Sequence, residues 1–134
     1  MLGTSRDINN PGLRILPPGV ERYFVKGGGL SVIEVFPEDK VEIINEEGKQ
    51  ICEIIVFDSI GKPNLSILDL KENSNADFSK RTIAKDEKIS KIFKKRNLNL
   101  KQAKSSIIFN EDCLMGEKIT LSSKDKCFVL IAAP

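Results

Sequence analysis

The residue types that most often perform catalysis are sparse in this chain of 134 residues. It contains no histidine and three cysteines, Cys52, Cys113 and Cys127. Without histidine, Ser-His-Asp and Cys-His catalysis are excluded, and so is every zinc site that uses an imidazole ligand. The cysteines form no Cys-x-x-Cys pair. The sequence therefore predicts no metal site and no cofactor.

The three cysteines are widely spaced and odd in number, which favours reduced thiols in a cytoplasmic protein over a disulfide framework. Cys52 and Cys127 lie in apolar segments, where a thiol behaves as a small hydrophobic side chain. Cys113 lies in the turn-like segment 110–116 and is predicted to be the most exposed of the three. It is the alternative catalytic candidate, a nucleophile acting on an amidine or amide, although its acidic neighbours would raise the pKa of its thiol.

Polar side chains inside an apolar strand are the second group of candidates. Gln50 and Glu53 interrupt the apolar run 49–58, and Ser79, Arg81 and Thr82 follow in a polar segment. If buried, a Glu needs a partner. The sequence leaves two alternatives open: Glu53 faces water, or these five residues line a pocket. In such a pocket Arg81 would pair with a carboxylate, and Glu53 with an amine or guanidinium.

Charge is distributed unevenly although the net charge is only +2. Residues 80–104 carry ten basic and two acidic residues, whereas residues 38–58 carry seven acidic and two basic residues. The basic segment is either a face that binds nucleic acid or an acidic partner, or a solvent-exposed helix that lies against the acidic segment or a second domain. Phe93 is the only aromatic residue in this segment, which favours the solvent-exposed interpretation because few bases could stack on it. The segment Lys26-Gly-Gly-Gly29 lacks the helix and Lys-Ser/Thr of a nucleotide-binding loop, so we interpret it as a loop.

Hydrophobic patterning predicts a mainly β fold, an antiparallel β-barrel or sandwich-like sheet with one short helix at about 86–96. Asp86 would cap this helix and Asn97 would end it. Segments 40–46 and 49–57 are predicted to form an antiparallel hairpin, with Gly48 in a positive-φ turn. The other predicted strands are 20–25, 31–36, 65–70, 105–109, 117–123 and 126–131. Residues 1–19 are predicted to form an irregular N-terminal arm, and residues 20–134 a single β-rich domain.

Neither a membrane span nor a signal peptide is predicted. No apolar run approaches the roughly 18 residues that a spanning helix needs, and the N-terminus has no apolar signal core. The apolar ending, Phe128 to Pro134, has no polar tail, which favours a domain excised from a longer protein over a compact natural end.

Four segments resemble the urea carboxylase-associated protein family: 25–36, 40–53, Phe78 to Thr82, and 119–131. Gly48 and Gln50 match a Gly-x-Gln-x-x-Asp-like turn of that family, with Glu53 in place of the acid. The resemblance implies a β-rich, barrel-like fold and, in one branch, hydrolysis of carboxylated guanidine. That branch uses Cys and His positions that this chain lacks. Modules of this kind also occur beside folate-dependent aminomethyltransferases similar to the glycine-cleavage T-protein.

The sequence and the resemblance together predict a non-catalytic accessory or small-ligand-binding domain associated with amine, guanidine or one-carbon metabolism. The expected partners are a small amine, guanidino or carboxylate ligand and an enzyme partner domain, with neither nucleic acid nor membrane. Two alternatives remain: a small hydrolase subunit with Cys113 as nucleophile, and a nucleic-acid-binding module that uses its basic face.

Overall fold

The computed structural model describes residues 20–21, 29–45, 48, 50–109 and 112–134. The predicted arm at 1–19 lies outside the described residues, as do residues 22–28, which include most of the first predicted strand and part of the glycine segment. The described residues form seven strands: β1 (Val20–Glu21), β2 (Leu30–Val35), β3 (Lys40–Asn45), β4 (Cys52–Asp58), β5 (Ser106–Ile108), β6 (Glu117–Ser122) and β7 (Cys127–Ala132). They also form helices α1 (Asp77–Ala84) and α2 (Glu87–Lys95) and a 3-10 helix (Leu65–Leu68).

The larger sheet contains four antiparallel strands in the order β2-β7-β4-β5. Its two central strands are buried along almost their whole length, with only Asp58 at the end of β4 half-buried. Both are nearly continuous apolar runs in the sequence, a pattern typical of strands that are covered on both faces. The smaller sheet has the order β1-β3-β6, with β1 parallel and β6 antiparallel to β3.

The larger sheet is the middle layer of three. Alternate residues along a strand point to opposite faces, and in β4 these faces belong to two separate apolar clusters. Ile54 and Val56 pack toward Val41 and Leu121 of the smaller sheet. Ile55 and Phe57 pack toward the helices, where they meet Ile83 of α1 and Phe93 of α2. The rings of Phe57 and Phe93 lie edge to face, with centroids 5.6 Å apart.

This arrangement confirms the predicted fold class in its sandwich-like form, since the described strands build two sheets and no closed barrel. The predicted strands at 31–36, 105–109, 117–123 and 126–131 are confirmed with small shifts at their ends. No helix in the described ranges is long and apolar enough to cross a membrane.

The predicted hairpin of segments 40–46 and 49–57 is wrong. β3 pairs with β1 and β6, whereas β4 pairs with β5 and β7 in the other sheet. The physical reason is that β4 needs apolar cover on both faces, which a central strand of the larger sheet receives. The connection between β3 and β4 therefore crosses from one sheet to the other. Gly48 in this connection has the predicted positive φ, 76°.

The predicted helix at about 86–96 is confirmed as α2, but the prediction of a single helix is wrong. The Asp86 carboxylate accepts a hydrogen bond from the Ile89 amide at 3.1 Å, and Asn97 ends the helix in the left-handed conformation, as predicted. The structure adds α1, whose N-cap residue Ala76 offers no capping side chain. The predicted strand at 65–70 is also wrong, because Asn64 caps a 3-10 helix there through the Ser66 amide.

Candidate functional site

A buried carboxylate joins the larger sheet to α1. Glu53 of β4 is only 3% exposed, and its Oε1 accepts hydrogen bonds from the amide and the hydroxyl of Ser79, at 3.1 and 2.5 Å. Ser79 is itself fully buried. Of the two alternatives that the sequence leaves open, solvent exposure of Glu53 is therefore wrong.

This contact explains how α1 begins. The first amides of a helix lack partners within the helix, and a side-chain oxygen normally satisfies one of them. Ala76 at the N-cap cannot do so, and it adopts a left-handed conformation with φ 61°. Glu53 supplies the missing acceptor from a strand 26 residues earlier. Negative charge at a helix N-terminus is also favoured by the helix dipole. Sequence reasoning missed α1 because its cap is not local.

The other predicted pocket residues do not join this pair. The Gln50 amide donates to the carbonyls of Ile51 and Pro134, at 3.0 and 2.8 Å. Arg81 is exposed, and its Nε donates to the Asp77 carbonyl within α1 at 3.3 Å. Thr82 is half-buried on α1. The structure thus brings Glu53 and Ser79 into contact and leaves Gln50 and Arg81 bonded elsewhere.

The three cysteines are free and buried. The expectation that Cys113 is exposed is wrong: the residue is buried, and its thiol accepts a hydrogen bond from Asn45 Nδ2 at 3.3 Å. Burial, together with the neighbouring Glu53 charge, raises the pKa of Cys52 from 9.0 to about 12. Burial also raises the pKa of Cys127, and the hydrogen bond with Ser123 only partly offsets this. Cys52 and Cys127 therefore stay protonated at neutral pH, which disfavours both as nucleophiles.

A surface groove of about 440 Å³ opens where β5 and β6 meet. These strands are the last strands of the two sheets, so the groove lies at the open side of the sandwich. Asn73 covers the groove wall at β5. Its Oδ1 accepts a hydrogen bond from the Ile107 backbone amide at 2.7 Å, and its Nδ2 donates to the Ile107 carbonyl at 3.3 Å, as the backbone of a neighbouring strand would. The residues that line the groove are Asn73, Ile107, Phe109, Glu117, Lys118 and Ile119.

Two groove residues have unusual features that could not be predicted from the sequence. Phe109 adopts φ 59°, a left-handed conformation that is uncommon for a bulky side chain. Glu117 is exposed, and hydrogen bonds from the Cys113 thiol and the Leu114 amide hold the pKa of its carboxyl below the usual value. Glu117 is therefore ionised at neutral pH. No pattern in the sequence reveals Phe109, because a backbone dihedral is set by the surrounding fold.

The helical layer carries the basic surface that the sequence predicts. Residues 77–104 contain ten basic and three acidic residues, a formal charge of +7, so the rest of this +2 chain carries −5. Within the described ranges, Arg96 is the one basic residue of this layer in an ion pair, at 3.4 Å from Glu34. Its guanidinium also lies 5.3 Å from the centroid of the Phe128 ring. The other basic side chains of this layer are exposed apart from the half-buried Lys80, and Lys104 donates a hydrogen bond to the neutral Asn75 side chain.

Within the part of the chain that the structure describes, no group of three or more Cys, Asp and Glu side chains is placed to hold a metal ion.

Comparison with known proteins places this chain near one enzyme of amine metabolism. It is 29% identical over 131 residues to the trimethylamine-oxide aldolase of Ruegeria pomeroyi. The alignment covers 95% of this chain but only 17% of the aldolase. No family model matches the chain, and no solved structure matches it significantly. The chain is thus similar, along nearly its whole length, to a small part of a much longer enzyme that is named for trimethylamine oxide.

Proposed function

We propose that this chain is an accessory, small-ligand-binding module of amine metabolism that works beside a separate catalytic unit. The observation that carries this proposal is the similarity over 95% of the chain to 17% of trimethylamine-oxide aldolase. A region that makes up so small a part of an enzyme is more easily understood as one module than as the complete catalyst. The association with amines follows from the name of that relative.

The side-chain chemistry supports the accessory role. The chain has no histidine, and Cys52, Cys113 and Cys127 are all buried. The hydrolase alternative requires an accessible Cys113 thiolate, whereas Cys113 is 5% exposed. Glu53, the carboxylate expected to bind an amine, already accepts two hydrogen bonds from Ser79. We therefore assign Glu53 to the stability of the fold and propose that the ligand binds elsewhere on the module.

The proposal is tested with the purified chain in two parallel measurements. Isothermal titration calorimetry with trimethylamine oxide, trimethylammonium, guanidinium and acetate measures binding. Proton NMR of the N-methyl resonances measures consumption of trimethylamine oxide over time. We expect binding of at least one amine-type compound and no consumption. Turnover by the isolated chain would contradict the accessory role, and failure of every amine to bind would contradict the ligand assignment.

The hydrolase alternative has its own control. If the chain hydrolyses an amidine or amide and Cys113→Ser abolishes the reaction, then Cys113 is the nucleophile and the accessory proposal fails. Cys127→Ser is the matched control, since Cys127 is also a buried free cysteine but lies in a strand of the larger sheet, β7.

The expected partner of the module is an enzyme domain, and the basic surface of residues 77–104 is the face suited to an acidic partner. The same surface supports the nucleic-acid alternative. A short single-stranded DNA, followed by fluorescence anisotropy at low and moderate salt, distinguishes the two. Nucleic-acid binding would fall steeply with salt, because each phosphate contact releases a counterion. We expect weak binding at every salt concentration.

A further inference from the structure

The groove between β5 and β6 has the size of a small-molecule site. Its volume is about 440 Å³, within the roughly 300–1,000 Å³ typical of ligand pockets. Its lining is mixed: the half-buried Ile107, Phe109 and Ile119 form the apolar part, and Asn73, Glu117 and Lys118 form the polar part. The groove lies between the edges of two sheets that are held by the same core, so its walls are positioned by the most buried part of the molecule.

Phe109 supplies an aromatic ring at the end of β5. Its left-handed backbone, φ 59°, carries a steric cost for a side chain with a Cβ and a ring. The half-buried Phe109 side chain packs against the core cluster and also lines the groove. An accessible aromatic face attracts an organic cation, because the electron density of the ring lies above and below its plane.

The charges around the groove favour a cation over an anion. Lys118 Nζ lies 3.6 Å from Glu42 Oε2, so a carboxylate already balances its positive charge. Glu117 forms no ion pair with any described residue. Its Oε2 accepts from the Leu114 amide at 3.1 Å, which fixes the carboxylate in place beside the groove. Among the described residues, Lys118 is therefore paired with a carboxylate, whereas Glu117 is an exposed carboxylate outside any ion pair.

We propose that this groove is the ligand site of the module and that it binds a small alkylammonium cation between Phe109 and Glu117. This inference rests on the proposed function for the association with amines. The ring would contact the N-alkyl groups, and the carboxylate would attract the positive nitrogen. Asn73 shapes the wall, and hydrogen bonds to the Ile107 backbone hold its side-chain amide in place.

The test compares choline with 3,3-dimethylbutan-1-ol, a neutral molecule of the same shape in which carbon replaces the charged nitrogen. Calorimetry should show choline binding at least about tenfold tighter than the alcohol, because only the cation gains from the ring and the carboxylate. Phe109→Leu keeps an apolar side chain and removes the ring, and should weaken choline binding about three- to tenfold. Glu117→Gln should weaken it about two- to fivefold, with the effect decreasing in high salt.

Asp125→Asn is the matched control for charge, since Asp125 lies exposed in the turn that follows β6 and does not line the groove. It should leave choline binding unchanged. NMR of the unaltered protein provides a measurement that does not depend on whether the variants fold. Choline should shift the resonances of the Phe109 ring and of the amides of Ile107, Glu117 and Ile119.

The possible outcomes separate the two proposals. Equal affinity for choline and the alcohol would overturn the cation site. If Phe109→Leu and Glu117→Gln both leave the affinity for choline unchanged and choline shifts NMR resonances elsewhere, the groove is not the binding site. The proposed function would then still stand. Absence of binding by choline and by every amine tested would overturn both.

Discussion

Replacing Glu53 tests whether a buried carboxylate from β4 holds the first turn of α1 on the sheet. In Glu53→Ala, the Ser79 amide and hydroxyl both lose their acceptor inside the protein. Each buried polar group left without a partner costs about 1–3 kcal/mol, although the hydroxyl regains part of this by rotating toward another acceptor. We therefore expect the free energy of unfolding to fall by about 2–4 kcal/mol.

Two further variants divide this effect into its parts. Glu53→Gln keeps an oxygen acceptor without the charge, and should cost about 1 kcal/mol because charged acceptors form stronger hydrogen bonds. Ser79→Ala removes the hydroxyl but keeps the hydrogen bond from the backbone amide of residue 79 to Glu53. It should also lower the free energy of unfolding by about 1 kcal/mol. In the double variant Glu53→Ala/Ser79→Ala, the two losses should not add, with a coupling energy of about 0.5–3 kcal/mol.

The assay is urea denaturation followed by far-UV circular dichroism, with hydrogen exchange of the Ser79 amide as a local readout. That amide should exchange faster in Glu53→Ala than in the unaltered protein. Glu72→Ala, an exposed loop substitution with the same charge loss, is the control and should change stability by less than about 0.5 kcal/mol. A loss below about 0.5 kcal/mol in Glu53→Ala, with additive effects in the double variant, would refute the capping role.

Two other predictions concern stability. Gly61→Ala should lower the free energy of unfolding by more than about 3 kcal/mol, because φ is 94° and the new Cβ would lie 1.9 Å from the Asn97 carbonyl oxygen. Gly116→Ala should lower it by only about 1 kcal/mol, since φ is 82° but no atom lies within 4 Å; equal losses in urea denaturation would contradict this. The thiol of Cys52 has a pKa of about 12 in the folded state against 9.0 ordinarily. The unfolded chain therefore loses this proton first, and stability should fall between about pH 9 and pH 12 by up to about 1.4 kcal/mol per pH unit. Cys52→Ala should flatten this slope, and an unchanged slope would show that Cys52 is not its source.

The sequence predicts the elements of this fold better than their pairing. Apolar periodicity located β2, β6 and β7, and local capping residues located α2 through Asp86 and Asn97. The hairpin of 40–46 and 49–57 failed because adjacency along the chain was taken as adjacency in space. Strand pairing depends on which faces need cover, and β4 is apolar on both.

In the candidate site, too, the residue types were predictable from the sequence and their contacts were not. Glu53 and Ser79 were both singled out from their residue types, and the structure brings them into contact. Their contact joins residues 26 positions apart, so its capping role was not visible in the sequence. Phe109 and Glu117 were not singled out, because the groove forms only where the edges of two different sheets meet.

The sequence by itself determined a chain without histidine chemistry, with apolar strands and with a segregated basic segment, because these properties follow from residue type and local order. Only the tertiary structure decided that Glu53 is buried against α1, that Cys113 is covered, and that Phe109 stands in a left-handed conformation beside Glu117. These features depend on contacts between residues distant along the chain, and such contacts are set by how the two sheets and the helical layer pack together.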